Sequence, residues 1–169
     1  MRKLLLICLA INILSFLVVP VNTLKAGEGP ADTLDIDADR LEVFGDQSRA
    51  VFEGGVKARQ KGMDLECLML IVYYDKTSHQ ILRLVAKKAV VIHWEDKVAV
   101  CSEADYLFEK ELLVMTGDVL VTRGEERLSS QTIRVNMKTG HQVVEGGDKR
   151  VNIRVRSGEG GAGILKWEK

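Results

Sequence analysis

Two independent markers recur along this chain with a period near 30 residues, and that repetition constrains the fold more than any single motif. One reads apolar-x-small-x-x-apolar: Ile36-x-Ala38-x-x-Leu41, Leu65-x-Cys67-x-x-Leu70, Ala99-x-Cys101-x-x-Ala104 and Leu128-x-Ser130-x-x-Ile133. Its small residues are 29, 34 and 29 positions apart. The other sets a small residue just before a strand, at Gly54, Ala86, Gly117 and Gly146, spaced by 32, 31 and 29. Together they divide the chain into four units, 34–62, 63–97, 98–126 and 127–155. Within the units apolar and polar residues alternate: Ala50, Phe52, Gly54, Val56 and Ala58 share one parity, and Leu113, Met115, Gly117, Val119 and Val121 repeat it. Period two with abundant β-branched residues is the strand signal. No stretch from residue 27 onward keeps a 3.6-residue period, so the expected class is all-β. A unit of this size cannot bury its apolar face alone; stacked neighbours share a continuous interior and leave unpaired edges at the first and last strands.

The N-terminus is of another kind. Arg2-Lys3 precedes an apolar run from Leu4 to Val21, and Asn22-Thr23-Leu24-Lys25-Ala26 ends on a small residue. These are the parts of a secretory signal, with an uncleaved membrane anchor as the competing reading. Residues 1–26 are therefore expected to form a signal helix, 27–33 a flexible lead-in, 34–155 the β domain and 156–169 a flexible tail with an apolar tip at Ile164, Leu165 and Trp167. The chain carries 24 basic and 24 acidic side chains. Arg2, Lys3 and Lys25 fall in the leader, which holds no acid, so the remainder has 21 basic against 24 acidic, a net charge of −3. That balance excludes the basic surplus of a nucleic-acid binder.

Asp35-Ile36-Asp37-Ala38-Asp39-Arg40-Leu41 followed by Ala50-Val51-Phe52-Glu53-Gly54-Gly55-Val56 resembles the opening block of the LptA/OstA-like family. Glu103-Ala104-Asp105-Tyr106 with Leu113-Val114-Met115-Thr116-Gly117-Asp118-Val119 resembles a later block. Leu128 through Ile133 with Lys138-Thr139-Gly140 resembles another. The resemblance covers residues 34–155. Gly55 and Asp118 stand where Asn is usual, Val119 replaces Pro, and Ser130-Gln131 replaces Gly-Asp. The resemblance implies an open, V-shaped β-jellyroll of the Gram-negative periplasm that clasps lipopolysaccharide acyl chains. It also implies head-to-tail assembly with itself and with LptC-like and LptD-like jellyroll domains, making a bridge between inner and outer membranes that catalyses nothing and carries no cofactor. An LptC-like anchored component is the alternative within that pathway. A structural β-repeat protein that polymerises through its edges without lipid is the alternative outside it.

A lipid-clasping interior needs apolar residues on the inward parity. The candidates are Ile36, Ala38, Leu41, Phe52, Val56, Leu65, Leu70, Leu82, Leu84, Ala104, Tyr106, Leu113, Met115, Val119, Val121, Ile133 and Val135, with a packed core as the competing reading for each. The entry edge is expected near Leu34–Val43 and the exit edge near Val143–Val155. Lys87-Lys88 and Lys149-Arg150 are candidate rim contacts for lipid phosphates. Cys67 and Cys101 occupy equivalent repeat positions, so a disulfide is possible in an oxidising compartment, against two buried free thiols. His79, His93 and His141 are scattered without metal-ligand spacing. Gly158-x-Gly160-x-x-Gly163 lacks the following helix and strand of a dinucleotide site. Asp35, Asp37 and Asp39 lack the glycine and glutamate of a calcium loop. Ser129-Ser130 has no nearby histidine or strained glycine elbow.

Overall fold

A computed structural model of the protein describes residues 33–60, 62–158 and 162–167. The expected signal helix and nearly all of the lead-in lie outside the described residues. Ten strands occur in chain order: β1 (Asp35–Asp37), β2 (Arg40–Phe44), β3 (Arg49–Gln60), β4 (Met63–Tyr74), β5 (Ile81–Trp94), β6 (Lys97–Leu107), β7 (Leu112–Arg123), β8 (Glu126–Asn136), β9 (Gln142–Glu145) and β10 (Asn152–Arg154). A 3₁₀ turn, η1 (Gly163–Leu165), comes last. The strands form one open antiparallel sheet in sequence order, with β1 and β2 together lining one edge against β3, and β9 and β10 together lining the other against β8. The fold is all-β, as the alternation predicts.

Each long strand is broken near its middle, and the breaks line up across the sheet. Three strands insert two residues opposite one: Gly54–Gly55 against Leu68, Lys88–Ala89 against Ser102, and Gly117–Asp118 against Gln131. All six inserted residues have positive φ, from 49° to 83°. Such bulges bend a strand and leave the inserted residue out of the ladder. On β4, β6 and β8 the same crease switches the parity of the inward face. Cys67 points inward before it and Leu70 after it; Cys101 pairs in the same way with Ala104, and Ser130 with Ile133. This is the physical content of the apolar-x-small-x-x-apolar marker: its extra residue is the crease. The small side chains also repair the ladder there. Cys67 Sγ donates to the Met69 carbonyl at 3.2 Å, Cys101 Sγ to the Glu103 carbonyl at 3.3 Å and Ser130 Oγ to the Thr132 carbonyl at 3.4 Å.

The second marker needs one correction. Gly54 and Gly117 sit in the crease and Gly146 opens the break between β9 and β10, but Ala86 is an inward core residue. Its structural counterpart is Lys88–Ala89, which gives spacings of 34 and 29 to Gly54 and Gly117. The unit boundaries at 62/63, 97/98 and 126/127 fall within a residue of the two-residue hairpin connections 61–62, 95–96 and 124–125. Gly62, Glu95 and Gly124 supply the positive φ those tight turns demand.

The crease divides the sheet into two halves whose strand ends differ. One half ends in those two-residue turns; the other ends in longer loops at 45–48, 75–80, 108–111 and 137–141. Buried residues from both halves, among them Val56, Leu70, Leu84, Val90, Met115, Val121, Leu128 and Ile133, form one continuous core. The two halves therefore face each other across a cleft whose floor is the crease.

Candidate functional site

The cleft is filled at its floor and open toward the tips. A cavity of about 310 Å³ is lined from the turn half by Leu34, Ala58, Gln60, Met63, Leu65 and Trp94, and from the loop half by Leu84, Tyr106, Phe108, Glu111 and Met137. Nine of these eleven side chains are apolar or aromatic; Gln60 and Glu111 are the polar ones. Tyr106 and Phe108 meet edge to face, with ring centroids 4.9 Å apart, which fixes one wall. Such a lining offers dispersion contacts and dehydration to an apolar guest, and no converging donors or nucleophiles.

Toward the C-terminal edge the mouth of the same cleft is occupied by the chain's own end. η1 packs on β7 and β8, and Ile164 and Trp167 are fully buried there. The expected flexible tail is thus, over residues 162–167, a docked segment. Burying two such side chains contributes on the order of 1.5–3 kcal/mol each. Trp167 packs against Trp94 with ring centroids 5.4 Å apart, so Trp94 carries the docked segment on one side and lines the cavity on the other. Glu126, at the start of β8, receives the segment. Its carboxylate accepts backbone N–H groups from Arg156 at 3.2 Å, Ala162 at 2.7 Å and Ile164 at 3.1 Å, and lies 3.4 Å from the Arg123 guanidinium. Burial pushes the Glu126 pKa upward, but those donors outweigh it and hold the carboxyl below its ordinary value. Gln142 donates to the Leu165 carbonyl at 2.5 Å from the opposite half. The Lys97 ammonium, buried beneath the two indoles about 6 Å from each ring, pairs with Asp96 at 3.4 Å and Glu95 at 3.5 Å.

Of the seventeen candidates, Val56, Leu70, Leu84, Ala104, Leu113, Met115, Val119, Val121, Ile133 and Val135 are buried on the inward face. Ile36, Phe52, Leu65 and Tyr106 are half-buried there. Leu65, Leu84 and Tyr106 reach the cavity. Three stand elsewhere. Ala38 is exposed in the gap between β1 and β2. Leu41 shares a face with its inward partner Phe52 but is 54% exposed, because nothing covers the edge. Leu82 is 48% exposed, because a register shift between Tyr73 and Tyr74 turns Ile81 rather than Leu82 toward the core. Trp94, Phe108, Met63 and Met137 were not among the candidates. Trp94 continues the parity of Val90 and Ile92, and Met63 that of Leu65 and Cys67, so both were legible on that ground; Phe108 and Met137 lie in loops, where alternation carries no information.

The disulfide is not formed: Cys67 and Cys101 are both free and buried. β5 runs between β4 and β6, so the two positions are two strand spacings apart, about 9.5 Å, beyond the roughly 7 Å limit for a bridge. Burial pushes the Cys101 thiol up to about 11 and raises Cys67 as well, which leaves both protonated at neutral pH. Of the rim candidates, Lys87 pairs with Glu103 at 3.3 Å and Lys149 with Asp118 at 2.7 Å.

Both edges of the cleft expose inward-facing apolar side chains. At the first edge, Leu41 and Val43 are 54% and 60% exposed, opposite Phe52 and Ala50. At the last, Ile153 is 44% exposed opposite Leu128, flanked by exposed Val151 and Val155. The interior thus runs from edge to edge and is capped at neither by a further strand among the described residues.

Three comparisons bear on this arrangement. Residues 35–141, more than half the chain, match the family described as LptA/(LptD N-terminal domain) LPS transport protein. Among solved structures the fold is similar to that of LptH from Pseudomonas aeruginosa, described as the LptA homologous periplasmic component of the conserved lipopolysaccharide transport device. The TM-score is 0.66 at 13% identity, covering 76% of this chain and 100% of that one. No curated protein matches. At 13% identity the structural likeness speaks for the fold, and the matched family, carried by the creased repeats themselves, speaks for descent: the chain belongs to the LptA/LptD N-terminal family of lipopolysaccharide transport proteins.

Proposed function

We propose that this protein works in the periplasm, shields lipid A acyl chains in the cleft between its two half-sheets, and assembles head to tail through its open edges. Its partners are further copies and LptC-like and LptD-like jellyroll domains, and the assembly bridges the inner and outer membranes. The observation that carries the reading is the apolar cavity between the half-sheets, together with the inward-facing apolar side chains left exposed on both edge strands. A buried methylene is worth about 0.8 kcal/mol, so an acyl chain of a dozen carbons exposed to water costs on the order of 10 kcal/mol. A dry cleft removes that cost at every point along its length. It does so without a chemical step. Edge strands supply the second half of the reading: backbone pairing gives affinity, and alternate side chains such as Leu41 and Val43 give register. An interface of that kind joins unlike ends and extends rather than closing.

The test is photo-crosslinking in the cell envelope. A photoreactive residue at Leu65, Tyr106 or Phe108 should capture lipopolysaccharide, whereas one at the outward-facing His93 should not. Residues placed at Val43 and at Ile153 should capture different protein partners. Lipid capture equal at inward and outward positions, or none at all, would remove the transport reading; edge capture without lipid would favour the structural-repeat alternative.

A further inference from the structure

We propose that the C-terminal segment 162–167 is an internal stopper, held in the mouth of the cleft over β7 and β8, and that an acyl chain enters this part of the cleft by exchanging with it. The inference rests on the lipid-binding reading above and adds a step to it.

The segment behaves as an occupant of the cleft and not as a layer of the sheet. It comes after the last strand and pairs with no strand of the sheet; its backbone is held by the Glu126 and Gln142 side chains. Its two buried residues, Ile164 and Trp167, are apolar and reach the inward surface that an acyl chain would cover, while Leu165 and Lys166 between them stay exposed. Occupant and cavity share a wall, since Trp94 touches Trp167 and also lines the open part of the cleft. A chain advancing along the cavity toward the last edge meets the docked segment directly.

The fit of the segment is also incomplete. Trp167 Nε1 and Gln142 Oε1 are buried without a hydrogen-bond partner among the described residues. A buried polar group left unpaired works against the state that buries it. A saturated chain carries no such group, so exchange returns the Trp167 indole N–H to water, while Gln142 and Glu126 stay with the sheet. Glu126 opposes release: its carboxylate accepts backbone N–H groups from Ala162 and Ile164 of the segment and from Arg156 before it, while Arg123 of β7 meets the same carboxylate from the sheet. This carboxylate latches the docked segment, and apparent affinity for a guest is reduced by the fraction of molecules in which the latch is closed.

Hydrogen–deuterium exchange on the intact protein tests the exchange, with myristic acid below its micellar concentration as the probe. Binding should strip protection from the 162–167 amides by tenfold or more while strengthening it in β4 and β5. In a second arm Glu126→Gln, and separately Ile164→Ser with Trp167→Ala, should bind the probe on the order of tenfold more tightly than the parent. A probe that binds while the segment keeps its protection overturns the stopper, as do segment variants that bind no more tightly. Absence of binding to the parent and to both variants overturns the cleft reading itself, and the stopper with it. The first arm needs no substitution, so a variant that fails to fold leaves the outcome decided.

Discussion

A methyl group added at Gly117 would sit 2.5 Å from the Ser102 hydroxyl, at a backbone φ of +83°. Gly117→Ala should therefore lower stability by about 1–3 kcal/mol, read as a fall in the denaturant midpoint. Gly55→Ala in the same crease meets open space and should lose only the strain of its positive φ. Glu126 is the other residue whose chemistry has a separable readout, because the chain's two tryptophans, Trp94 and Trp167, meet beside it. Glu126→Gln should red-shift their emission by loosening the docked segment. The lowered pKa sets the pH dependence. The contribution of Glu126 is complete above the ordinary glutamate value of about 4.3 and is lost as pH falls through the lowered folded value. Asp96 faces the same guanidinium, and Arg123 and Lys97 together outweigh its desolvation and hold it below its ordinary value. Acid titration should then shift the tryptophan emission below about pH 4, with the Glu126-dependent part missing in the Gln variant.

At the scale of elements, the strands and their hairpins were legible because alternation and turn residues are local. The crease was legible as a spacing before it had a meaning: an apolar residue five positions on, where a straight strand would place it four on. Ala86 misled because a small residue looks alike in a core and in a bulge; only pairing distinguishes them. Leu82 misled because a one-residue shift at Tyr73–Tyr74 reverses the facing of the paired residues at the start of β5. The tail was read as flexible because Gly158 to Gly163 is glycine-rich, yet its tip finds buried partners that no local pattern announces. The edge strands carry their own prediction. Val43→Asp and Ile153→Asp place a charge on exposed inward positions of β2 and β10, so each should leave the unfolding free energy within about 0.5 kcal/mol of the parent while reducing self-association in sedimentation velocity. Loss of folding in either variant would show that these edges are core.

For the whole molecule, two unlike open edges predict association that rises with concentration without a fixed endpoint, since joining two copies leaves one edge of each kind free. The contacts available are backbone groups and aliphatic side chains, so light scattering should show that growth persists as ionic strength is raised. Mixing the two edge variants should allow pairing only between their unaltered edges and stop growth at the dimer. What the amino-acid sequence determined by itself is the class, the repeat and the inward parity, because period-two burial and turn chemistry act over a few residues. The tertiary structure decided where the cleft stays empty, that β5 keeps Cys67 from Cys101, and that the last residues return to cover β7 and β8. Those outcomes depend on how two half-sheets close over one another, and packing between residues such as Glu126 and Ile164, 38 apart in sequence, leaves no mark on a local pattern.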